Sequence, residues 1–230
     1  MALRDNLIAY YKLDWNANDD LWNNNWTATN IIYVTGRKWD CATLDSTWES
    51  FRFWINNQSS IMTNSWAFTV SYWIKKTTSF TDSNRQWAFF ASGGSNELIY
   101  HFIESGGPNT FTVYFADWWS ASSINITHWW ALDEFHHVVM TWTWTTVKMF
   151  FDWIEVWNWT SSSSYNGFWN SSDWFSVWCL RGDSGVNQIG WLIDEVWLWN
   201  RALSSTEVTE LYEYYPATTA NTTNFFNFLM

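Results

Sequence analysis

Apolar and polar residues alternate in short bursts along this chain, and each burst predicts a strand. Phe51 to Ile55, Phe68 to Ile74 (FTVSYWI) and Phe111 to Phe115 (FTVYF) repeat with period two, which sets one group of side chains on each face of a sheet. Leu7 to Leu13, His136 to Trp142, Val147 to Phe151, Ile154 to Val156, Phe175 to Leu180 and Leu192 to Trp199 complete the pattern. Ser-, Thr- and Asn-rich stretches such as Ser161 to Ser164 separate them. Many short strands at this spacing predict an all-β, antiparallel β-sandwich. The period changes only near the end. Ser204-Ser205-Thr206-Glu207 spells a capping box, and Val208, Leu211 and Tyr212 then share one helical face. That short C-terminal helix should stop near Tyr214, ahead of Pro216. Residues 1–214 therefore read as one β-sandwich domain, and 215–230 as a mobile Thr/Asn-rich tail with an apolar end.

Charge and composition narrow the classes. The 230 residues carry 11 Lys and Arg against 22 Asp and Glu, a net charge of −11 at pH 7. Such acidity argues against nucleic acid or an anionic membrane surface as partner. No apolar run is long enough for membrane insertion as a helix. Met1 to Arg4 leads straight into the first strand pattern without a signal-peptide core. The expectation is synthesis in the cytoplasm, with a virion or an extracellular surface as destination. The two cysteines, Cys41 and Cys179, are too few for a disulfide scaffold. Spacing leaves open whether they pair.

Tryptophan is the anomaly. There are 24 Trp but only 9 Gly. Six Trp directly follow Asp or Asn: Trp15, Trp26, Trp118, Trp153, Trp159 and Trp174. Asp152-Trp153 separates two strand patterns where a tight hairpin needs positive φ at both central residues. Asn-Gly or Asp-Gly is the favoured pair there, because an indole-bearing residue is strained at positive φ.

Three segments carry a family resemblance. They are Leu7 to Asn30 (LIAYYKLDWNANDDLWNNNWTATN), His136 to Trp153 (HHVVMTWTWTTVKMFFDW) and Trp191 to Tyr212 (WLIDEVWLWNRALSSTEVTELY). In these the chain resembles bacterial and phage laminin G-like domains of the concanavalin A-like lectin/glucanase superfamily, over about residues 7–213. The systematic departure is Trp where the family has Gly. UGA is read as Trp in some genetic codes and as Gly in others. Recoded UGA would explain Trp15, Trp22, Trp26, Trp39, Trp144, Trp153, Trp157, Trp159, Trp178 and Trp191 as glycines. Trp73, Trp142, Trp197 and Trp199 occupy strand positions where the family accepts an aromatic residue. The resemblance implies a jelly-roll sandwich.

Several residues are candidates for chemistry. Related domains hold a structural calcium, so the resemblance implies a Ca2+ site from Asp14, Asn16, Asp19 and Asp194, whose hard oxygens suit that ion. Turn capping by Asx side chains is the equal alternative. Tyr100, Tyr114, Trp118 and Trp119 offer rings that could stack on sugar faces, against a plain core or turn role. Retaining glycoside hydrolysis needs two carboxyl groups about 5–5.5 Å apart. The Glu-x-Asp-x-x-Glu strand pattern of such enzymes is absent, and adjacent Asp194 and Glu195 should point to opposite faces of a strand. His136 and His137 read as structural, and Arg181-Gly182-Asp183 as a chance tripeptide. The expectation is a non-catalytic binding module for a glycan or a cell-surface protein, within a phage virion or tail fibre or as a surface adhesin. An oligomer or larger assembly fits that setting. A structural protein without ligand and a glycoside hydrolase are the alternatives.

Overall fold

A computed structural model describes residues 3–21, 25, 27–44, 50–53, 67–77, 86–93, 97–104, 110–116, 121–127, 133–143, 145–160, 174–177 and 191–214. The 215–230 tail, Cys179 and Arg181 to Asp183 lie outside them.

Two antiparallel sheets form a jelly-roll sandwich. Sheet A runs β13(Ile154–Thr160), β12(Thr146–Phe151), β11(Phe135–Trp142), β6(Phe68–Lys76), β15(Trp191–Trp199), β4(Asp40–Leu44) and β3(Ile32–Thr35), with β1(Leu7–Tyr11) also paired to β15. Sheet B runs β10(Ala121–Thr127), β9(Thr110–Ala116), β8(Glu97–Glu104), β7(Gln86–Gly93), β14(Trp174–Val177), β5(Ser50–Phe53) and β2(Thr27–Thr29). The helix α1 spans Ser205–Tyr214 as its capping box predicts. Glu207 N–H donates to Ser204 Oγ at 3.3 Å, and Ser204 N–H donates to Glu207 Oε2 at 2.9 Å.

The central strands of sheet A are buried on both faces. Every residue of β15 is buried, as is nearly every residue of β6 and β11. On one face Trp73, Trp197 and Trp199 lie beneath Leu3, Leu203 and the α1 residues Val208 and Leu211. Trp197 stacks on Tyr10 at 3.8 Å, and Trp199 Nε1–H donates to Leu3 O at 2.7 Å. That bond ties the N-terminal segment over the sheet.

The hairpins follow turn chemistry. Asp152 and Trp153 take φ of 46° and 63°, a two-residue loop with both central residues left-handed. The β3–β4 hairpin closes with Gly36 N–H donating to Trp39 O at 2.8 Å. A Cβ on Gly36 would sit 2.7 Å from the Asp40 backbone, so only glycine fits there.

The tryptophans divide by setting. Trp15, Trp39 and Trp153 sit in turns and are 69%, 62% and 42% exposed. Trp73, Trp142, Trp197 and Trp199 are strand residues and at most 5% exposed. Trp191 departs from the glycine expectation. It is 1% exposed in β15, opposite Lys76 and Leu44, where a strand favours a large apolar side chain. Trp157 is half-buried in β13, whereas Trp22, Trp26, Trp144 and Trp178 lie outside the described residues.

Replacing Trp153 by Gly relieves a left-handed indole-bearing residue. The expected outcome is a gain of about 1 kcal/mol in unfolding free energy by urea titration. Trp199→Ala opens a cavity beneath α1 and should lose roughly 3–5 kcal/mol in the same assay.

Candidate functional site

Strand register assembles one face of sheet B into a continuous row. Ser123 of β10 lies opposite Tyr114 of β9, which lies opposite Tyr100 of β8. Tyr100 lies opposite Phe90 of β7, Phe90 opposite Ser176 of β14, and Ser176 opposite Arg52 of β5. Thr27 of β2 ends the row opposite Arg52. Directly opposed residues share a face, so the row crosses all seven strands on one side.

Alternation distinguishes the two faces. Along β9 and β10 the row's face carries Thr110, Thr112, Asn125 and Thr127, whereas the other carries Phe111, Val113, Ile124 and Ile126. Phe51 and Phe53 flank Arg52 on β5, opposite Val177 and Phe175 of β14. On these strands the division follows the period of an antiparallel sheet, whereas on β8 Leu98 and Phe102 share the face of Tyr100. Of the four aromatic candidates from the sequence, Tyr100 and Tyr114 thus come together as a cross-strand pair. Trp118 and Trp119 fall between β9 and β10, outside the described residues. Phe90, Ser176 and Arg52 escaped the sequence reading, because only pairing register brings them to the tyrosines.

The oxygen-rich candidates do not gather in the same way. Asp19 is fully buried, and its Oδ1 accepts from Tyr10 N–H at 2.9 Å and Leu21 N–H at 3.1 Å. Asn16 Oδ1 accepts from Asn18 N–H at 2.8 Å, an Asx turn. Asp194 Oδ2 accepts from Arg37 N–H at 3.0 Å. Asp14 is half-buried, and desolvation raises its carboxyl pKa. Among the described residues no three His, Cys, Asp or Glu side chains converge on a metal position. One oxygen each of Asn16, Asp19 and Asp194 is engaged by a backbone N–H, the turn-capping role that stood beside Ca2+ ligation as the alternative.

Asp194 and Glu195 correct the expectation of opposite faces. Glu195 adopts φ of 52°, and the pairing register shifts between Asp194 and Trp197. This bulge breaks the alternation. Asp194 lies opposite Trp73, and Glu195 accepts a hydrogen bond from Tyr10 Oη, so both carboxyls meet the helix-covered side. They are 1% and 3% exposed, which denies them to a substrate. Cys41, a free thiol, is buried nearby. Desolvation and the neighbouring Asp194 push its pKa up to about 12, which leaves it inert.

His136 and His137 are buried within sheet A. Asp152 accepts from His137 N–H at 2.8 Å through Oδ1, and its Oδ2 is 2.7 Å from His136 Nδ1. His137 is buried against Trp73, with Nε2 2.7 Å from Ser71 Oγ. Desolvation, aided by Arg37, lowers its pKa to about 3, so it is neutral.

Burial, with Glu195 nearby, raises the Asp194 pKa to about 8. The folded state therefore holds a proton that the unfolded chain has released above its ordinary value of 3.8. That contribution to stability is complete at acid pH and falls as pH rises toward about 8. Asp194→Asn should flatten the decline, measured as unfolding midpoints from pH 5 to pH 9.

A laminin G family model, described as the concanavalin A-like lectin/glucanases superfamily, matches residues 54–209. No curated protein sequence matches the chain. Among solved structures it resembles domain 4 of AbnA, a GH43 extracellular arabinanase from Geobacillus stearothermophilus, in complex with arabinotriose. The identity is 19% and the TM-score 0.68, over 90% of this chain and 98% of that one. It also resembles the binding domain of Paraclostridial Mosquitocidal Protein 1, at 17% identity and a TM-score of 0.73, over 93% of this chain and 53% of that one. Botulinum neurotoxin type C, whose cell entry depends upon interaction with two ganglioside molecules, matches at 13% identity and a TM-score of 0.69, over 93% of this chain and 52% of that one. The chain thus spans about half the length of the toxin chains. With a laminin G family match over more than half its length, on two antiparallel sheets and one capped helix, this chain belongs to the concanavalin A-like lectin/glucanase superfamily.

Proposed function

We propose that the chain is a non-catalytic glycan-binding module that holds its ligand against the hydroxyl-bearing face of sheet B. One observation carries this reading: Tyr114, Tyr100 and Phe90 stand in one register row between Ser123 and Ser176. Rings cover the apolar faces of sugars, and flanking hydroxyls exchange hydrogen bonds with sugar hydroxyls. The arabinanase domain bound to arabinotriose and the ganglioside-dependent toxin offer the same type of ligand on the same fold. Burial of Asp194 and Glu195 weighs against the hydrolase alternative. A phage tail fibre or a surface adhesin is the setting in which such a module serves attachment, with a cell-surface protein as the alternative partner.

We also infer that Trp15, Trp39 and Trp153 are recoded UGA positions, glycine in the organism that makes the protein. Their exposure and the positive φ of Trp153 support this. The central aromatic row contains no Trp and stands under either decoding. The gene should carry TGA at these three codons and TGG at Trp73, Trp142, Trp197 and Trp199. TGG throughout would defeat the inference.

On an immobilised glycan array the chain should be retained saturably without release of reducing ends. Tyr100→Ala with Tyr114→Ala should weaken retention about tenfold or more, at about 1 kcal/mol for each covered ring. Unchanged retention in that double variant sinks the site, and reducing-end release restores the hydrolase.

A further inference from the structure

We propose that the helix-covered side of sheet A carries a second sugar subsite with Tyr212 of α1 as its platform, and that the indole of Trp153 stands where a neutral sugar ring lies in the glycine-153 protein. This rests on the glycine decoding of position 153 and on the glycan reading of the chain.

Tyr212 is held from below. Its ring lies 5.3 Å from that of Trp73 and 5.9 Å from that of His137, and those two rings stack on each other at 4.8 Å. Trp73 and His137 are buried, and Tyr212 is half-buried against the cluster beneath α1. The indole of Trp153 packs on Tyr212 with ring centroids 4.3 Å apart. Trp153 is itself exposed, and its φ of 63° is backbone that suits glycine. Glycine at this position removes the indole and leaves a ring-sized opening from Tyr212 to solvent. A ring already fixed by its neighbours loses little side-chain freedom when a ligand covers it.

The surroundings select the ligand. The group seated on Tyr212 is a flat ring, so a ring of similar breadth fits the opening. Asp152, next in sequence to Trp153, supplies a polar rim. Its Oδ1 accepts from His137 N–H at 2.8 Å and its Oδ2 is 2.7 Å from His136 Nδ1, which fixes the carboxylate in place. Each of those oxygens keeps a second lone pair, able to accept from a sugar hydroxyl. The Tyr212 hydroxyl adds a second polar group. Desolvation and the Asp152 charge raise its pKa against the opposing charge of Arg37, so it keeps its proton. A hydrocarbon ring would strip water from these groups and return no hydrogen bond. An anionic sugar would meet the Asp152 charge. A neutral sugar has an apolar face for Tyr212 and hydroxyls for the rim.

The experiment uses the full chain on an array of immobilised neutral, sialylated and sulfated oligosaccharides, in the Tyr100→Ala and Tyr114→Ala background that removes the sheet B platform. Adding Trp153→Gly should raise retention on a neutral member about tenfold. Adding Tyr212→Leu to that variant should return retention to the background, because Leu still covers Trp73 and His137 but offers no ring. Circular dichroism of each variant confirms folding. No gain with Trp153→Gly, a gain that survives Tyr212→Leu, or a gain confined to sialylated or sulfated members overturns the subsite. So does self-association of the Trp153→Gly variant in sedimentation without glycan retention, which would assign the opening to a protein partner. None of these outcomes touches the sheet B reading, which stands on retention of the unaltered chain and its loss in the double variant. TGG at codon 153 overturns the subsite together with the decoding on which it rests.

Discussion

A sheet buried on both sides needs two covers, and this requirement organises the molecule. One cover of sheet A is the other layer of the sandwich. The second is built from the chain's two ends, Leu3 from the N-terminal segment and Val208 and Leu211 from α1, closing over Trp73, Trp197 and Trp199. Removing water from three indoles supplies several kcal/mol, far beyond what a ten-residue helix gains alone. The helix is held in place by its capping box and by Arg201, whose guanidinium lies 2.8 Å from Glu207. Thr69 Oγ1 accepts from Leu203 N–H and donates to Arg201 O, so the approach to the helix is fastened to the sheet.

The same closure explains the buried polar groups. Asp194, Glu195 and His137 would be expensive as ions beneath an aromatic cover. His137 stays neutral, and burial moves the Asp194 carboxyl toward its protonated form. Arg37 spreads its guanidinium 3.5 Å above the Trp73 ring while its backbone N–H serves Asp194. Through Arg37 the β3–β4 hairpin is tied to β6 and β15.

Much of the scaffold was legible residue by residue. The Ser204–Glu207 capping box gave the helix its start, and Asp152-Trp153 marked a hairpin whose φ values both prove positive. Strands with clean alternation, such as β6, β9 and β11, emerged within two residues of their bounds. β2, β3 and β4 went unread because three to five residues carry too little periodicity, β7 and β8 because their apolar residues run together without alternating, and β10 because Ser and Asn weaken its apolar phase. The bulge at Glu195 could not be read either. Its left-handed φ falls on a residue that normally avoids it, and Tyr10, 185 residues away, binds the displaced carboxyl.

The sequence by itself determined local matters: which segments extend, where the chain turns, where the helix begins, and that the surface is acidic. Those properties depend on residues within a few positions of one another. Only the tertiary structure decided which residues meet across strands. Tyr100 and Tyr114 are register partners, Arg52 joins their row four strands from β9, and Asp19 and Asp194 each accept a hydrogen bond from a backbone N–H. Pairing register is set by burial of whole sheet faces, an energy summed over the fold, and no single segment contains it.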